Sequence, residues 1–454
     1  MTAMGWKRGL LTAGALLLGL SVAVSSWAQG MFYAEEKKDG RIYAFGIAKE
    51  HELWSKSGET GKAITRFGYG PNGETVVFDS EQAIGLFNFK HGKPGEAFPE
   101  PKKPKQAFAW KDGKTSWESD KATLTVSNRI QVRFTQEMPD DTVKLTGTEN
   151  AGDALGSFRI RRAKTKFEGW FYKKEFSYEL QLNWPDTANP LEDAWMNVDV
   201  SKNTSFQIKF GQYKVPFGRQ ELTSSGSQQF VDRSIVSGEF AKGRDQGLQV
   251  HGLVATGKLE WRAGVFNGNG RTRSANDNDK YQFNARLQFA PNGDPKYSES
   301  DFDSKDKPLW AIAGGFEVND LKNTTTSVDS KRTIFAVDGV FKYKGISLFG
   351  EAFFRELDPE PAAPGAAVTT FNSDGYHFQA GYLFGKQTWE LAFRYASWDP
   401  SDLVSGNDRT EVGGALNYFY NKHNLKVQAD FRQLEDKAKD TKNQEVRVQA
   451  QFIF

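Results

Sequence analysis

No cysteine occurs among the 454 residues, which excludes a disulfide scaffold, Cys-ligated zinc, iron–sulfur clusters and thiol catalysis. Histidine is scarce as well. His51, His91, His251, His377 and His423 are scattered, and no second ligand or carboxylate recurs at a useful spacing. Neither a metal centre nor histidine acid–base chemistry is expected, and no cofactor. A dominant charge is also lacking: the formal net charge is +2, and loss of Lys7 and Arg8 with the N-terminal segment brings it to zero. No nucleic-acid partner is expected, and any ionic preference must come from where the charges sit. Hydrophobicity is low overall, with a mean hydropathy of −0.61. That argues against a bundle of membrane helices. It leaves room for a transmembrane barrel, which needs only alternate residues to be apolar.

What is present starts with an address. Lys7 and Arg8 precede an apolar run from Gly9 to Val24, and Ser26-Trp27-Ala28 places small residues where a signal peptidase reads. Residues 1–28 are expected to be a secretory signal peptide rather than an anchor, because the run is short and the cleavage site good. Residues 29–97 read as a small α/β module of three strands and one helix. Strands are expected at 41–47, 63–67 and 74–78, with an Asn72-Gly73 turn before the last. A helix then opens at Asp79 as cap and stops at Gly92. Residues 98–120, with prolines at 99, 101 and 104 at their start, read as an extended linker.

From residue 121 onward alternation takes over. Phe176, Tyr178, Leu180, Leu182 and Trp184 alternate with Ser177, Glu179, Gln181 and Asn183. The last residues repeat the pattern, with Val446, Val448, Ala450, Phe452 and Phe454 set against Arg447, Gln449 and Gln451. Such strands bury one face in a soluble core or turn it to lipid around a polar lumen. Loop lengths decide. Short links near 172–174, 201–203, 255–257, 344, 385–386 and 421–422 alternate with long ones, as when one rim carries turns and the other loops. The link 290–308 is long where a short turn is due. The expectation is an all-β fold: a 16-stranded antiparallel transmembrane β-barrel over 121–454, with both its ends and the small module in the periplasm. Strand sixteen is expected to pair with strand one near Leu124–Phe134.

Ser157-Phe-Arg-Ile-Arg-Arg-Ala163, Phe210-Gly-Gln-Tyr-Lys-Val-Pro-Phe-Gly218 and Arg244-Asp-Gln-Gly247 resemble the phosphate-selective porin O/P family, over roughly 121–454. The resemblance implies a homotrimer of barrels in the outer membrane of a Gram-negative-type bacterium, each with its own basic pore. In phosphate-specific members a ladder of arginines leads to a lysine-rich constriction, and Arg159, Arg161, Arg162 and Lys214 are the positions that match the motifs. Porins of this size resemble one another in folding a long loop into the lumen. Here 214–245 is the candidate, with Phe217, Phe230, Ile235 and Phe240 to pin it to the wall.

Face assignment puts Arg129, Arg133, Arg159, Arg161 and Lys209 inward, in a lumen basic by twelve to seven. Rings of basic residues favour anions. The loop itself is mixed: Lys214, Arg219, Arg233, Lys242 and Arg244 face Glu221, Asp232, Glu239 and Asp245, expected mostly to pair among themselves. For Arg159, Arg161 and Arg162 two roles stay open, an anion relay or an arginine–carboxylate lattice bracing the loop. The expected function is a water-filled channel in outer-membrane lipid for small, preferably anionic solutes, with phosphate among them. The alternative is an interaction barrel docking a periplasmic partner through 29–97. No nucleophile–base–acid grouping marks an enzyme.

Overall fold

The computed structural model describes residues 32–454 except 62, 94–107, 112, 140–154, 242, 272–274, 305, 323–328 and 362–366. The signal segment, the first part of the expected linker and Lys242 lie outside the described residues. The chain divides into two compact units, Met1–Lys105 and Gln106–Phe454.

In the first unit β1 (Ala34–Lys38), β2 (Arg41–Phe45), β3 (Ile64–Arg66) and β4 (Thr75–Phe78) form a sheet in the order β1-β2-β4-β3. Helix α1 (Ala48–Ser57) follows β2 and α2 (Glu81–Lys90) follows β4. β2 and β4 run parallel, which a crossover connection between them permits. Period-two positions Ile42, Ala44, Val76 and Phe78 bury against Ala83, Ile84 and Phe87 of α2. The helix is capped by Ser80, whose Oγ accepts from the Ala83 N–H at 3.2 Å. Asp79, the expected cap, instead accepts from the N–H groups of Gly46 (2.8 Å) and Ile47 (2.9 Å) and so ties α2 to the end of β2. The module exceeds the expected three strands and one helix by β1 and α1. Helix α1 buries none of its residues and so writes no apolar stripe into the sequence.

The second unit opens with a hairpin, β5 (Phe108–Lys111) and β6 (Lys114–Glu118), in the stretch expected as linker. β6 pairs with the start of β7 through Thr115–Val126 and its neighbours. The barrel strands are β7 (Thr123–Met138), β8 (Leu155–Phe171), β9 (Lys173–Asn183), β10 (Leu191–Asp199), β11 (Gln207–Lys214) and β12 (Arg244–Val254). There follow β13 (Leu259–Phe266), β14 (Gln282–Phe289), β15 (Leu309–Leu321), β16 (Ser330–Tyr343) and β17 (Ile346–Pro359). The last are β18 (Phe371–Phe384), β19 (Trp389–Asp399), β20 (Arg409–Asn421), β21 (Leu425–Asp436) and β22 (Thr441–Ile453). These are the sixteen expected strands, every one antiparallel to its neighbours.

β22 closes on β7 from Gln444–Met138 to Ile453–Arg129, and Asn128 and Phe454 exchange N–H···O bonds of 2.6 and 3.0 Å. The seam thus lies four to five residues beyond the expected Leu124–Phe134. Closure leaves no strand edge unpaired in lipid, where each open backbone group would cost several kcal/mol. Alternation holds along β22: Val446, Val448 and Phe452 face outward, whereas Glu445, Arg447, Gln449 and Gln451 face inward. Lys344 and Gly345 join β16 to β17 with φ of +50° and +88°, the mirror-image two-residue turn that matches strand twist.

Candidate functional site

Two segments fold into the barrel. The first, 215–243 between β11 and β12, is the expected constriction loop and carries the short helices α3 (Arg219–Leu222) and α4 (Ile235–Phe240). Phe217, Val236 and Phe240 cluster with Ile334, Ala336, Phe353 and Ala396 of the wall, and Phe230 packs on Ala392 and Ala415. The Phe240 ring stacks on Phe353 with centroids 5.3 Å apart. The wall uses small residues there for a reason: a Cβ at Gly375 would come within 2.9 Å of the Phe240 ring and 3.1 Å of Val236. The second segment, 290–308 between β14 and β15, leaves the rim that carries the short turns and also enters the lumen. Its Pro295 and Ser298 carbonyls accept from the Lys342 ammonium at 2.9 and 2.6 Å.

Together they fill one half of the barrel. Inward side chains of β14 to β22 such as Gln288, Arg394, Glu411 and Gln449 are 4% exposed or less. A buried unpaired charge costs several kcal/mol, so the arginines on this half pair with carboxylates, and Lys342 and Lys426 give their ammonium groups to main-chain carbonyls. Arg286 donates to Asp338 (2.9 Å), Arg394 to Glu411 (3.1 Å), Arg432 to Glu445 (2.9 Å) and Arg447 to Asp430 (2.7 Å). The uncompensated excess is left to the other half.

There, against β7 to β13, lies a cavity of about 500 Å³. Among the described residues its wall carries eleven lysines and arginines against four carboxylates, Glu179, Asp186, Glu192 and Asp193. β7 supplies Arg129, β8 supplies Arg161, Arg162, Lys164 and Lys166, and β11 supplies Lys209 and Lys214. Arg244 and Arg262 come from β12 and β13, Arg233 and Arg271 from loops. Trp195, Tyr213 and Tyr297 add aromatic faces.

A β-bulge builds the most basic stretch. β8 pairs Arg162 with Gln131 but Ile160 with Val132, so Arg161 is the extra residue between them. Strict alternation from Arg159 would turn Lys164 and Lys166 to lipid. The bulge resets the phase and keeps Arg161, Arg162, Lys164 and Lys166 all on the cavity. Lys164 then pairs with Glu192, and Lys166 lies 2.6 Å from Glu168 and 3.7 Å from Glu179. The alternating charges at 162, 164, 166 and 168 are the sequence signal for this phase.

The sequence-predicted residues separate into two groups. Arg133 donates to both Asp232 oxygens (2.6 and 3.1 Å), joined there by Arg162 at 3.5 Å, Arg161 at 3.7 Å and Arg447 at 3.5 Å. Asp232 belongs to the constriction loop, so this group forms the bracing lattice. Arg219 donates to Gln288 (2.8 Å) and to the Lys296 carbonyl (2.6 Å), away from the cavity. Lys214 gives its ammonium to the carbonyls of Glu221, Leu222 and Thr223 at the end of α3, and Arg233 donates to those of Gln220, Glu221 and Thr223. Of the loop charges, Glu221 pairs within the loop, with Arg233 at 2.9 Å. Glu239 pairs instead with Arg355 of the wall at 2.7 Å, and Arg244 with Asp193 at 2.8 Å. Arg159 sits opposite Arg133 nearer the loop rim, exposed and outside the cavity lining.

Arg161 faces the cavity with 36% of its side chain exposed. Arg129 donates to Ser224 at 2.9 Å, and Lys209 lies over the rings of Trp195 (3.6 Å) and Tyr213 (4.6 Å). Sequence reasoning missed Lys164, Lys166 and Arg271 as lining cations, and the acidic pair Glu192 and Asp193. That pair faces inward at adjacent positions because β10 also shifts register between Leu191 and Asp193.

A closed sixteen-stranded barrel with a loop folded into a basic lumen is a porin. The sequence profile of the phosphate-selective porin O and P family matches residues 132–454, and the chain belongs to that family. A barrel of this family is an outer-membrane protein. An uncharacterized protein of Aquifex aeolicus (strain VF5) is 26% identical over 294 residues, 57% of this chain and 66% of that protein's length. Among solved structures, an anion-selective porin from Comamonas acidovorans is similar with a TM-score of 0.53 and 11% identity, over 73% of this chain and 100% of that one. The outer-membrane channel DcaP of Acinetobacter baumannii is similar with a TM-score of 0.53 and 11% identity, over 74% and 99%.

Proposed function

We propose that the chain is a passive diffusion channel with a preference for small anions, phosphate among them. The observation that carries it is the segregation of charge: on the packed half of the lumen the arginines are matched by carboxylates, and the open half keeps eleven cations against four carboxylates. Such a wall attracts anions into a narrow polar space and repels cations from it. Trimerisation is the family's implication. The even number of strands puts both ends of the barrel on the rim of short turns, which supports a periplasmic place for the 29–97 module. The same reading makes the protein a channel and not an enzyme.

Reversal potentials in a planar bilayer under a KCl gradient test the selectivity, with anion preference expected; a cation-selective potential overturns it. Inorganic phosphate is expected to depress the chloride current at concentrations well below those of chloride. If current merely scales with total anion, the phosphate part fails and a general anion channel remains.

A further inference from the structure

The segment 290–308 is unlike its counterparts on the same rim, such as the two-residue link Lys344-Gly345. Pro295, Glu299, Ser300, Asp301 and Ser304 are buried inside the barrel. Its tip meets the constriction loop through main chain and through one carboxylate. The Glu299 N–H donates to the Ser227 carbonyl at 3.0 Å. The Glu299 carboxylate accepts from the Gln229 N–H (2.8 Å), from Gln220 Nε2 (3.1 Å) and, on the wall, from Gln379 Nε2 (2.8 Å). Next to it the Tyr297 ring lies against the guanidinium groups of Arg219 (4.8 Å) and Arg262 (5.5 Å), and its hydroxyl donates to Glu260 at 3.0 Å. Its far end is fixed by Phe302 edge-on to Phe419 at 5.0 Å and by Asp301, which accepts from the Gly345 N–H at 2.9 Å.

We infer that 290–308 is the second half of the constriction, with Glu299 as its positioning residue. Coming from the opposite rim, it locks the constriction loop in place and closes the β14–β22 half of the lumen. Solute is thereby confined to the basic cavity, of which Tyr297 is itself a wall. Two physical consequences follow. The constriction loop already rests on the wall through Phe217, Phe230 and Phe240, and a second inserted chain bonded to Ser227 and Gln229 removes freedom from the stretch between those anchors. The insert also tempers the field: it carries Asp294, Glu299, Asp301, Asp303 and Asp306 against Lys296, Lys305 and Lys307. Its carbonyls occupy Lys342 and Arg219, which would otherwise face the lumen.

This inference rests on the diffusion-channel reading, and single-channel recording of the full chain separates the two. A variant in which 292–306 is replaced by an Asn-Gly turn is expected to conduct severalfold more than the wild type. Its reversal potential is expected to move toward stronger anion preference. Glu299→Gln, which sets an amide against three donors, is expected to raise open-channel noise, and Glu299→Asp to restore part of the quiet current. A folded turn variant with wild-type conductance overturns the inference. Should that variant not fold, a Glu299→Gln channel with wild-type noise and conductance overturns it instead. If the wild type forms no channel at all, the diffusion reading falls and takes this inference with it.

Discussion

Asp232 and Arg161 lie 3.7 Å apart, yet substitution is expected to act on them in opposite ways. Arg161 keeps 36% of its side chain open to the cavity. An ion pair so exposed contributes about 1 kcal/mol or less to stability. Arg161→Ala should therefore leave folding intact and lower the anion-to-cation permeability ratio, read as a shift in reversal potential under a salt gradient. An unchanged potential would remove Arg161 from the solute path. Asp232 instead neutralises Arg133, whose side chain is 1% exposed, and approaches Arg162 and Arg447. Asp232→Asn strands a buried cation at a cost of roughly 3–5 kcal/mol to loop docking. The expected result is a noisier channel with a protease-sensitive constriction loop and no loss of anion preference. Of the arginines whose role the sequence leaves open, Arg162 and Arg161 both reach Asp232 of the loop, Arg159 lies outside the cavity lining, and the solute role of Arg161 is what this pair of variants tests.

Among elements, β8 shows most clearly what alternation in the sequence tells and where it stops. The strands were legible because a lipid-facing barrel imposes period two with little relief, and the loops because the two rims differ in length. Phe217, Phe230, Ile235 and Phe240 also marked the loop that folds inward, since large apolar residues in a long polar loop need a wall to rest on. The bulge shows only in charge spacing: counting from Arg159 misplaces Lys164 and Lys166, and the alternating charges at 162, 164, 166 and 168 carry the true phase. The insert 290–308 stood out by length alone; its residues are mostly small and polar, and its burial depends on partners from three other segments, the constriction loop, β18 and β19. The bulge has a direct test. Deleting Arg161 removes the extra residue, so β8 alternates regularly from Arg159 and leaves Arg162, Lys164 and Lys166 inward. That variant is expected to keep the heat-modifiable folded band on electrophoresis after insertion into vesicles, and to lower anion preference as Arg161→Ala does. Loss of the folded band on deletion, with Arg161→Ala retaining it, would show that barrel closure needs the bend of the bulge itself.

For the whole molecule, the two compact units are expected to respond separately to acid, because the module has its own core of Ile42, Val76, Phe78, Ile84 and Phe87. Its turn before β4 is organised by one carboxylate. Glu74 accepts from the Asn72 N–H at 2.9 Å and from Asn72 Nδ2 at 3.2 Å, with Lys37 3.5 Å away. Those hydrogen bonds, that of the Asn72 backbone foremost, hold the Glu74 carboxyl down at about 2 against an ordinary 4.5. A carboxyl depressed by folding contributes stability that is present above its ordinary range and is lost as pH falls toward the folded value. The contribution of Glu74 is therefore complete at pH 5 and fades between about 4.5 and 2. Calorimetry of the full chain in detergent should show the module melting as a transition of its own, moving to lower temperature as pH drops through that window. Glu74→Gln should begin at a lower melting temperature at pH 5 and descend less steeply, leaving the barrel transition where it was. A variant that tracks the wild type at every pH would show that the turn owes its stability to Gly73, at φ +83°, and to the backbone bond from the Gly70 N–H to the Glu74 carbonyl (2.8 Å), with the carboxylate a bystander.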